Sequence, residues 1–320
     1  MKVLFMAKPG NSSPWYEEFV AAIRGEIAVE TWDPALPFAA QIDGAVAVAD
    51  VGAFLEREMI PLAGSAGVKL WQMISAGYDQ LDLELFRANG IKVANTPGQF
   101  SAPALGEHAL MLMLCVSKQF PTSQQHLREG RFYRCFGEEL GGRTLGLVGV
   151  GASGRALAKL AGALGMEILG VDPLPPPEEQ LTELGITLLG GPEELHALLA
   201  RSDVVSIHVP LSEATRGMIG AGELAAMKPS AVLINVSRGH VVDQRALVAA
   251  LRAGTIAGAG LDVFAVEPLP TDDPLLSMDN VVVTPHVAGS TYGTSRRRGG
   301  AAAENVLRAA RGEDPLYVVS

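Results

Sequence analysis

A chain of 320 residues is long enough for two domains, since single hydrophobic cores seldom grow beyond about 250–300 residues. Its 48% hydrophobic and 6% aromatic content argues against disorder and for an α/β protein with parallel strands covered on both faces. The formal charge of −10 opposes contact with phosphate backbones, so no nucleic-acid partner is expected, and Cys115 and Cys135 lack the spacing of a metal site or a CxxC motif.

The run Met1–Ala7 is too short for a signal-peptide core and reads as a first strand entering a turn at Pro9-Gly10. No apolar run approaches the ~20 residues of a membrane span, so a cytoplasmic protein with no membrane partner is expected. Strand and helix patterns then alternate through Val3–Ala7, Pro14–Arg24, Ile27–Thr31, Ala45–Ala49, Val51–Ile60, Lys69–Ser75, Leu81–Ala88 and Ile91–Ala94. Such alternation predicts parallel strands joined by crossover helices. After a turn signal at Asn95-Thr96-Pro97-Gly98, Ala102–Lys118 is apolar around most of its circumference, as a helix buried between domains or subunits would be.

A second series of strands is predicted at Thr144–Val150, Ile168–Asp172, Ile186–Leu189, Val204–Val209, Ala231–Val236, Gly258–Val263 and Val281–Thr284. Residues 96–288 are expected to form a second domain, with 1–95 and the helical pattern Thr291–Arg311 in the first, which would thus comprise 1–95 and 289–320.

Gly149-Val150-Gly151-Ala152-Ser153-Gly154 follows the first strand of that series and opens a helix. Glycines so placed permit a tight turn, close approach of backbone to a pyrophosphate, and close helix–strand packing. Amides at the helix amino terminus would face the phosphates. The string alone also fits a structural turn, but the next strand ends in Asp172, near the ~20-residue offset of an acid that meets the adenosine ribose. Because a carboxylate repels a 2′-phosphate, NAD is expected rather than NADP.

Three later strands end in chemistry. Asn235-Val236-Ser237-Arg238 brings a guanidinium suited to a carboxylate, Gly258–Phe264 carries Asp262 and leads to Glu267, and Val281–Pro285 ends at His286. Reduction of a 2-keto acid needs a hydride, a proton for the carbonyl oxygen and a cation for the carboxylate. Histidine titrates near neutrality and an adjacent carboxylate orients it, so Glu267 and His286 fit the proton step and Arg238 the anchor. Each residue alone would more commonly be structural; their succession at one sheet edge points to a site.

These residues, with His208-Val209-Pro210-Leu211, Met227-Lys228-Pro229, Ser237-Arg238-Gly239, Gly260-Leu261-Asp262-Val263-Phe264, Glu267-Pro268 and Thr284-Pro285-His286, resemble the D-isomer-specific 2-hydroxyacid dehydrogenases over nearly the whole chain. The resemblance implies a Rossmann NAD-binding domain inserted into a flavodoxin-like substrate domain, both doubly wound α/β units. It implies hydride transfer between NAD(H) and a small D-2-hydroxy or 2-keto acid, and a homodimer. Arg238 would bind substrate, His286 exchange the proton and Glu267 pair with it. Gly149, Gly151, Ala152, Ser153, Gly154, Asp172, His208 and Pro210 would line the cofactor, with Asp262 at its nicotinamide end. Ser75-Ala76-Gly77 resembles a loop whose amides hold the substrate carboxylate, and no metal is implied.

Two positions depart from the family pattern: Gln244 stands where Glu is common, and Ser153 where a bulkier apolar residue is common. Neither is expected to touch the proton machinery. His108, His126 and His196 read as structural or surface residues, Arg296-Arg297-Arg298 as a solvated helix face, and Tyr78, Gln99, Phe100 and Trp71 as candidates for substrate selection. A dinucleotide-sensing binding protein or co-repressor on the same fold, or a glycine loop serving a flavin or S-adenosylmethionine, are the competing readings.

Overall fold

The first strand, β1 (Lys2–Met6), shows how the core is made. Successive side chains leave a strand on opposite faces, so a continuous apolar run is stable only where both faces are covered. Val3 and Phe5 join one buried cluster and Leu4 and Met6 another. The computed structural model describes residues 1–7, 13–52, 55–133 and 135–320, with the side chain of Ser13 outside that description. The turn expected at Pro9-Gly10 and part of the helical pattern at Val51–Ile60 lie outside the described residues.

The chain forms two compact units, one of residues 1–101 with 290–320 and one of residues 102–289. In the first, β1 is followed by α1 (Ser13–Ile23), β2 (Ala28–Thr31), α2 (Phe38–Ile42), β3 (Ala45–Asp50), α3 (Met59–Ser65), β4 (Leu70–Met73), α4 (Leu83–Ala88) and β5 (Lys92–Ala94). Among the described residues the strands form a parallel sheet in the order β2-β1-β3-β4-β5, the flavodoxin-like order. Phe19 and Ile23 of α1 cover one face together with Ala302, Ala303 and Val306, while Ile60, Ala63 and Phe86 cover the other. Helix α2 has no counterpart in the sequence reading, because its five residues are too short to show a helical period. The pattern at Val51–Ile60 also resolves later than expected, as α3.

The second unit comprises α5 (Ala102–Ser117), α6 (Phe120–Arg128), β6 (Thr144–Val148), α7 (Ala152–Ala163), β7 (Glu167–Val171), α8 (Glu178–Glu183), β8 (Ile186–Gly190), α9 (Leu195–Arg201), β9 (Val204–Ile207), α10 (Ala221–Ala226), β10 (Val232–Asn235), α11 (Gln244–Ala253), β11 (Gly258–Leu261) and β12 (Val281–Val283). Its strands lie in the order β12-β11-β10-β9-β6-β7-β8, all parallel, which is the Rossmann order with one added strand. The order reverses between β6 and β9, so the loops after these strands diverge and leave a crevice at the carboxyl edge. The glycine loop and His208 stand on its two sides.

Helix α5, expected between domains or subunits, is packed within this unit. Ala109, Leu112 and Met113 join the cluster formed by Leu145, Leu147 and Ile234. A Cβ on Gly106 would lie 2.9 Å from the backbone of Ala156 and Leu157, and one on Gly260 2.8 Å from Leu112 Cβ, so small residues let α5 approach both α7 and β11. The last helix, α12 (Tyr292–Arg311), belongs to the first unit and is capped by Thr291, whose hydroxyl accepts from the Thr294 N–H. No helix among the described residues is long and apolar enough to cross a membrane.

Candidate active site and cofactor loop

β6 delivers the glycine loop to the crevice. Gly149 has φ +97°, a conformation open to glycine, and a Cβ there would lie 2.9 Å from the His208 carbonyl carbon. A Cβ on Gly154 would come within 2.3 Å of the Gly149 oxygen. These two glycines are therefore required by the protein's own packing. Gly151 differs, since it is exposed and a Cβ on it would meet nothing within 4 Å. The room left there, beside the amino terminus of α7, fits the close approach of a pyrophosphate.

Asp172 follows β7 and secures the loop from the side. Its Oδ2 accepts from the Val150 N–H at 2.7 Å and its Oδ1 from the Leu174 N–H at 2.8 Å. Each oxygen retains acceptor capacity, so the residue can both brace the loop and meet a ribose hydroxyl. Arg155 Nη1 donates to the Val150 carbonyl at 2.8 Å and closes the loop further. Ala152 and Ser153 occupy the first turn of α7, where N–H groups lack partners along the helix.

Across the crevice, the His208 N–H donates to the Val148 carbonyl at 2.7 Å and fixes the start of the loop after β9. The imidazole is buried, and burial lowers its pKa from 6.5 to about 4, so it is neutral at pH 7. Pro210 is exposed, and its carbonyl accepts from the Thr215 hydroxyl at 2.7 Å.

The three strand-end residues are each held by local bonds. Beyond β10, the buried Asn235 donates to the Arg238 carbonyl at 3.0 Å and accepts from the Ser237 N–H and hydroxyl at 3.0 and 2.9 Å. This clamp sets the turn that presents Arg238, whose Nη1 donates to the Ser237 carbonyl at 2.9 Å. The following Gly239 has no room for a side chain, because a Cβ would lie 1.9 Å from the Phe264 carbonyl. The Arg-Gly pair thus serves two needs, a cation and a close passage of two backbones.

Glu267 Oε1 accepts from the Phe264 N–H at 2.9 Å, and Oε2 lies 2.7 Å from His286 Nδ1. Burial alone would raise the Glu267 pKa. The hydrogen bonds from His286 and Phe264 and the charges of His286 and Arg238 outweigh it and hold the carboxyl below its ordinary value. Because Nδ1 faces Glu267, Nε2 is the other ring nitrogen, and it has no partner among the described residues. The His286 backbone is left-handed, with φ +54°, and its N–H donates to the Asp262 carbonyl at 2.8 Å.

Asp262 acts from beneath. The resemblance implied a contact with the nicotinamide end, yet this residue has no exposed surface. Its Oδ1 accepts from the Thr284 hydroxyl at 2.6 Å and the Val287 N–H at 2.9 Å, and its Oδ2 from the Ala288 N–H at 2.8 Å. The carboxylate therefore faces inward and holds the loop that carries His286. Burial would raise its pKa, but hydrogen bonds from His108, Thr284, Val287 and Ala288 lower it overall.

Two residues that the sequence set outside the proposed site brace it from behind. His108 lies in α5 with its Nε2 2.8 Å from the Thr284 hydroxyl, which itself donates to Asp262. The hydroxyl thus accepts from His108, a structural role directly behind the His286 loop. Gln244 accepts from the Ala265 N–H at 2.9 Å and donates to Asp273 at 2.9 Å, and so braces the segment leading to Glu267. A Glu could accept from Ala265 but would repel Asp273. The departure at position 244 therefore lies one step from Glu267, and its signal was the amide itself.

In the first unit, the Ser75-Ala76-Gly77 loop follows β4. The Ser75 carbonyl accepts from the Thr96 N–H at 3.0 Å, the Ala76 carbonyl from Asn95 at 2.8 Å and the Gly77 carbonyl from the Ser75 hydroxyl at 2.9 Å. With the carbonyls so held, the N–H groups of Ala76 and Gly77 have no acceptor among the described residues. That is an anion-receptive arrangement. Trp71 is wholly buried, with Nε1 donating to Asp50 at 3.1 Å, so it cannot line a substrate pocket. The expected solvated face at 296–298 is also partly tied down. Arg297 donates to the Phe100 carbonyl at 2.8 Å, and Arg298 donates to Ser101 at 2.9 Å and lies 5.9 Å from the Trp15 ring centroid.

Residues 110–288 match the sequence profile described as D-isomer specific 2-hydroxyacid dehydrogenase, NAD binding domain. The chain belongs to the D-isomer specific 2-hydroxyacid dehydrogenase family. As a member of that family it is an NAD-dependent 2-hydroxyacid dehydrogenase. It is 42% identical over 252 residues to a glyoxylate reductase of Korarchaeum cryptofilum, covering 77% of this chain and 74% of that protein. A hydroxypyruvate reductase of Thermotoga maritima is 39% identical over 75% of this chain and 77% of its own length. A D-3-phosphoglycerate dehydrogenase of Archaeoglobus fulgidus is 37% identical, but the match spans only 46% of its length against 79% of this chain. The structure of Aquifex aeolicus D-lactate dehydrogenase complexed with NAD and lactic acid superposes with a TM-score of 0.82 at 29% identity, covering 98% of this chain and 96% of that one.

Proposed function

We propose that this dehydrogenase reduces a small 2-keto acid of the glyoxylate and hydroxypyruvate class to the D-2-hydroxy acid, with NADH as the physiological reductant. The names of the two relatives covered over about three quarters of their length support the substrate class. When bound, the reduced nicotinamide supplies the hydride. Gly149, Gly151, Ala152, Ser153 and Gly154 would hold the pyrophosphate and Asp172 the ribose, its negative charge selecting NAD over NADP.

The observation that carries the reading is the 2.7 Å contact of Glu267 with His286 Nδ1, which leaves Nε2 as the unpartnered ring nitrogen among the described residues. His286 Nε2 donates the proton to the carbonyl oxygen as the carbon is reduced. Glu267 stabilises the imidazolium form and fixes its ring. Arg238 binds the carboxylate and polarises the carbonyl. In the first unit, considered by itself, the amides of Ala76 and Gly77 are suited to an anionic group. An NADH-oxidation panel with glyoxylate, hydroxypyruvate, pyruvate and bulkier keto acids tests this reading. Fastest turnover with the two small acids supports it, whereas tight NADH binding without turnover on any of them refutes it.

A homodimer is proposed on a separate observation. Phe120, Leu127, Phe132, Tyr133 and Phe136 are all exposed in one short stretch, an apolar surface that a second copy would cover. Light scattering on the native protein and on Tyr133→Lys tests it, with a dimer expected for the first and dissociation for the second.

A further inference from the structure

We infer that the Ser153 hydroxyl donates a hydrogen bond to the cofactor's pyrophosphate, and that His208 and Ser206 fix the direction of that donation. The inference rests on the NAD-binding reading of the glycine loop and gives one of its side chains a specific task.

Three groups form a short chain. Ser206 Oγ lies 2.9 Å from His208 Nε2, and His208 Nδ1 lies 3.1 Å from Ser153 Oγ. Ser206 is wholly buried in β9, and His208 is buried at its end, whereas Ser153 is partly exposed in the first turn of α7. Among the described residues, neither serine side chain has another partner.

Counting hydrogens determines the order. A neutral imidazole carries one N–H and each serine one O–H, so three hydrogens serve two hydrogen bonds and one is left over. If Ser153 donated to Nδ1, Nε2–H would donate to Ser206, and the Ser206 hydrogen would be buried without an acceptor. Such a group costs about 1–3 kcal/mol. If Ser206 donates to Nε2, Nδ1–H donates to Ser153 and the remaining hydrogen belongs to the hydroxyl of the partly exposed residue. The second order leaves nothing buried unsatisfied. It also places an O–H donor beside the orphan amides of α7, where an anion is favoured.

This gives a role to the serine at position 153, where the family commonly carries a bulkier apolar residue. A bulkier apolar side chain at position 153 could neither accept from His208 nor donate to a phosphate. The low proton affinity of the buried imidazole keeps it from donating at both nitrogens.

The probes are ADP-ribose, which carries the pyrophosphate, and adenosine, which does not. Isothermal titration of the full chain is expected to show ADP-ribose bound roughly tenfold to a hundredfold more weakly by Ser153→Ala, the usual loss for a hydrogen bond to a charged group, with adenosine unchanged. Ser206→Ala removes the buried donor without touching the loop. Either tautomer of His208 then leaves its inward nitrogen unpaired, so the imidazole loses its fixed direction and accepts from Ser153 in part of the molecules; ADP-ribose binding should weaken, by less than in Ser153→Ala, and the double variant should be no weaker than Ser153→Ala. Imidazole 15N NMR on the wild type should show hydrogen on His208 Nδ1, a measurement that does not depend on any variant folding. A hydrogen on Nε2, unchanged ADP-ribose binding in Ser153→Ala, or additive effects of the two substitutions would overturn the inference while leaving the NAD reading intact. Failure of the wild type to bind ADP-ribose and NADH at all would overturn both.

Discussion

Replacing Asp262 by Asn keeps the shape of a buried side chain and removes its charge and one acceptor. The carboxylate receives three donors from the 284–288 segment, two on Oδ1 and one on Oδ2. The amide serves best with its oxygen toward Thr284 and Val287, which turns its NH2 onto the Ala288 N–H. That buried N–H, left unsatisfied, costs about 1–3 kcal/mol, and the two retained bonds fall from charge-assisted to neutral strength, together about another 1–2 kcal/mol. The expected loss is roughly 3 kcal/mol, or a shift of about 1 M in the urea midpoint at a slope near 2–3 kcal/mol/M. Because Asp262 also accepts the His286 N–H through its carbonyl, His286 should move and kcat should fall with the stability. The sign against pH follows from the depressed Asp262 pKa: its contribution is present above the ordinary aspartate value and lost as pH falls through the lower folded value, so the variant should resemble wild type more closely in acid. Urea melts at two pH values with kcat on the same samples check this. A midpoint and kcat both equal to wild type would refute the account of Asp262.

The glycine loop makes a paired prediction. Gly151→Ala should fold normally and bind NADH at least about tenfold more weakly, whereas Gly154→Ala should lose about 1–3 kcal/mol or more of stability from the clash with the Gly149 carbonyl. Urea melts and NADH fluorescence titrations separate the two. Removing the guanidinium in Arg238→Gln should raise the keto-acid KM roughly tenfold to a hundredfold while leaving the NADH Kd unchanged, as steady-state kinetics beside direct titration will show. His208 supplies a pH dependence: the unfolded chain takes its proton near pH 6.5 and the folded one only near pH 4, so folding loses up to about 3 kcal/mol as pH falls through that window. His208→Gln should flatten that slope in denaturant melts between the two values.

The parallel strands and the residues at their ends were legible because a buried strand announces itself as an apolar run and its last residue is where polarity returns. Arg238, Glu267 and His286 could be grouped on that ground before any distance was known. The direction in which Asp262 faces was not legible, since a strand-end carboxylate can serve a ligand or the neighbouring loop equally well by sequence. The same holds for Gln244 and Ser153, whose partners Asp273 and His208 lie 29 and 55 positions away along the chain. Helix α5 differs: uniform apolarity shows that a helix is buried, and only its contacts show that Ala109, Leu112 and Met113 pack against Leu145, Leu147 and Ile234.

The central claim is proton exchange at His286, held by Glu267, during NADH-dependent reduction of a 2-keto acid. Its most direct test is kcat for glyoxylate or hydroxypyruvate, followed by NADH absorbance, in wild type and His286→Ala, beside the NADH Kd of each. Loss of general acid catalysis should lower kcat about 100- to 10,000-fold with the Kd little changed. A kcat retained in the variant, or a fall in cofactor affinity as large as the fall in turnover, would contradict it.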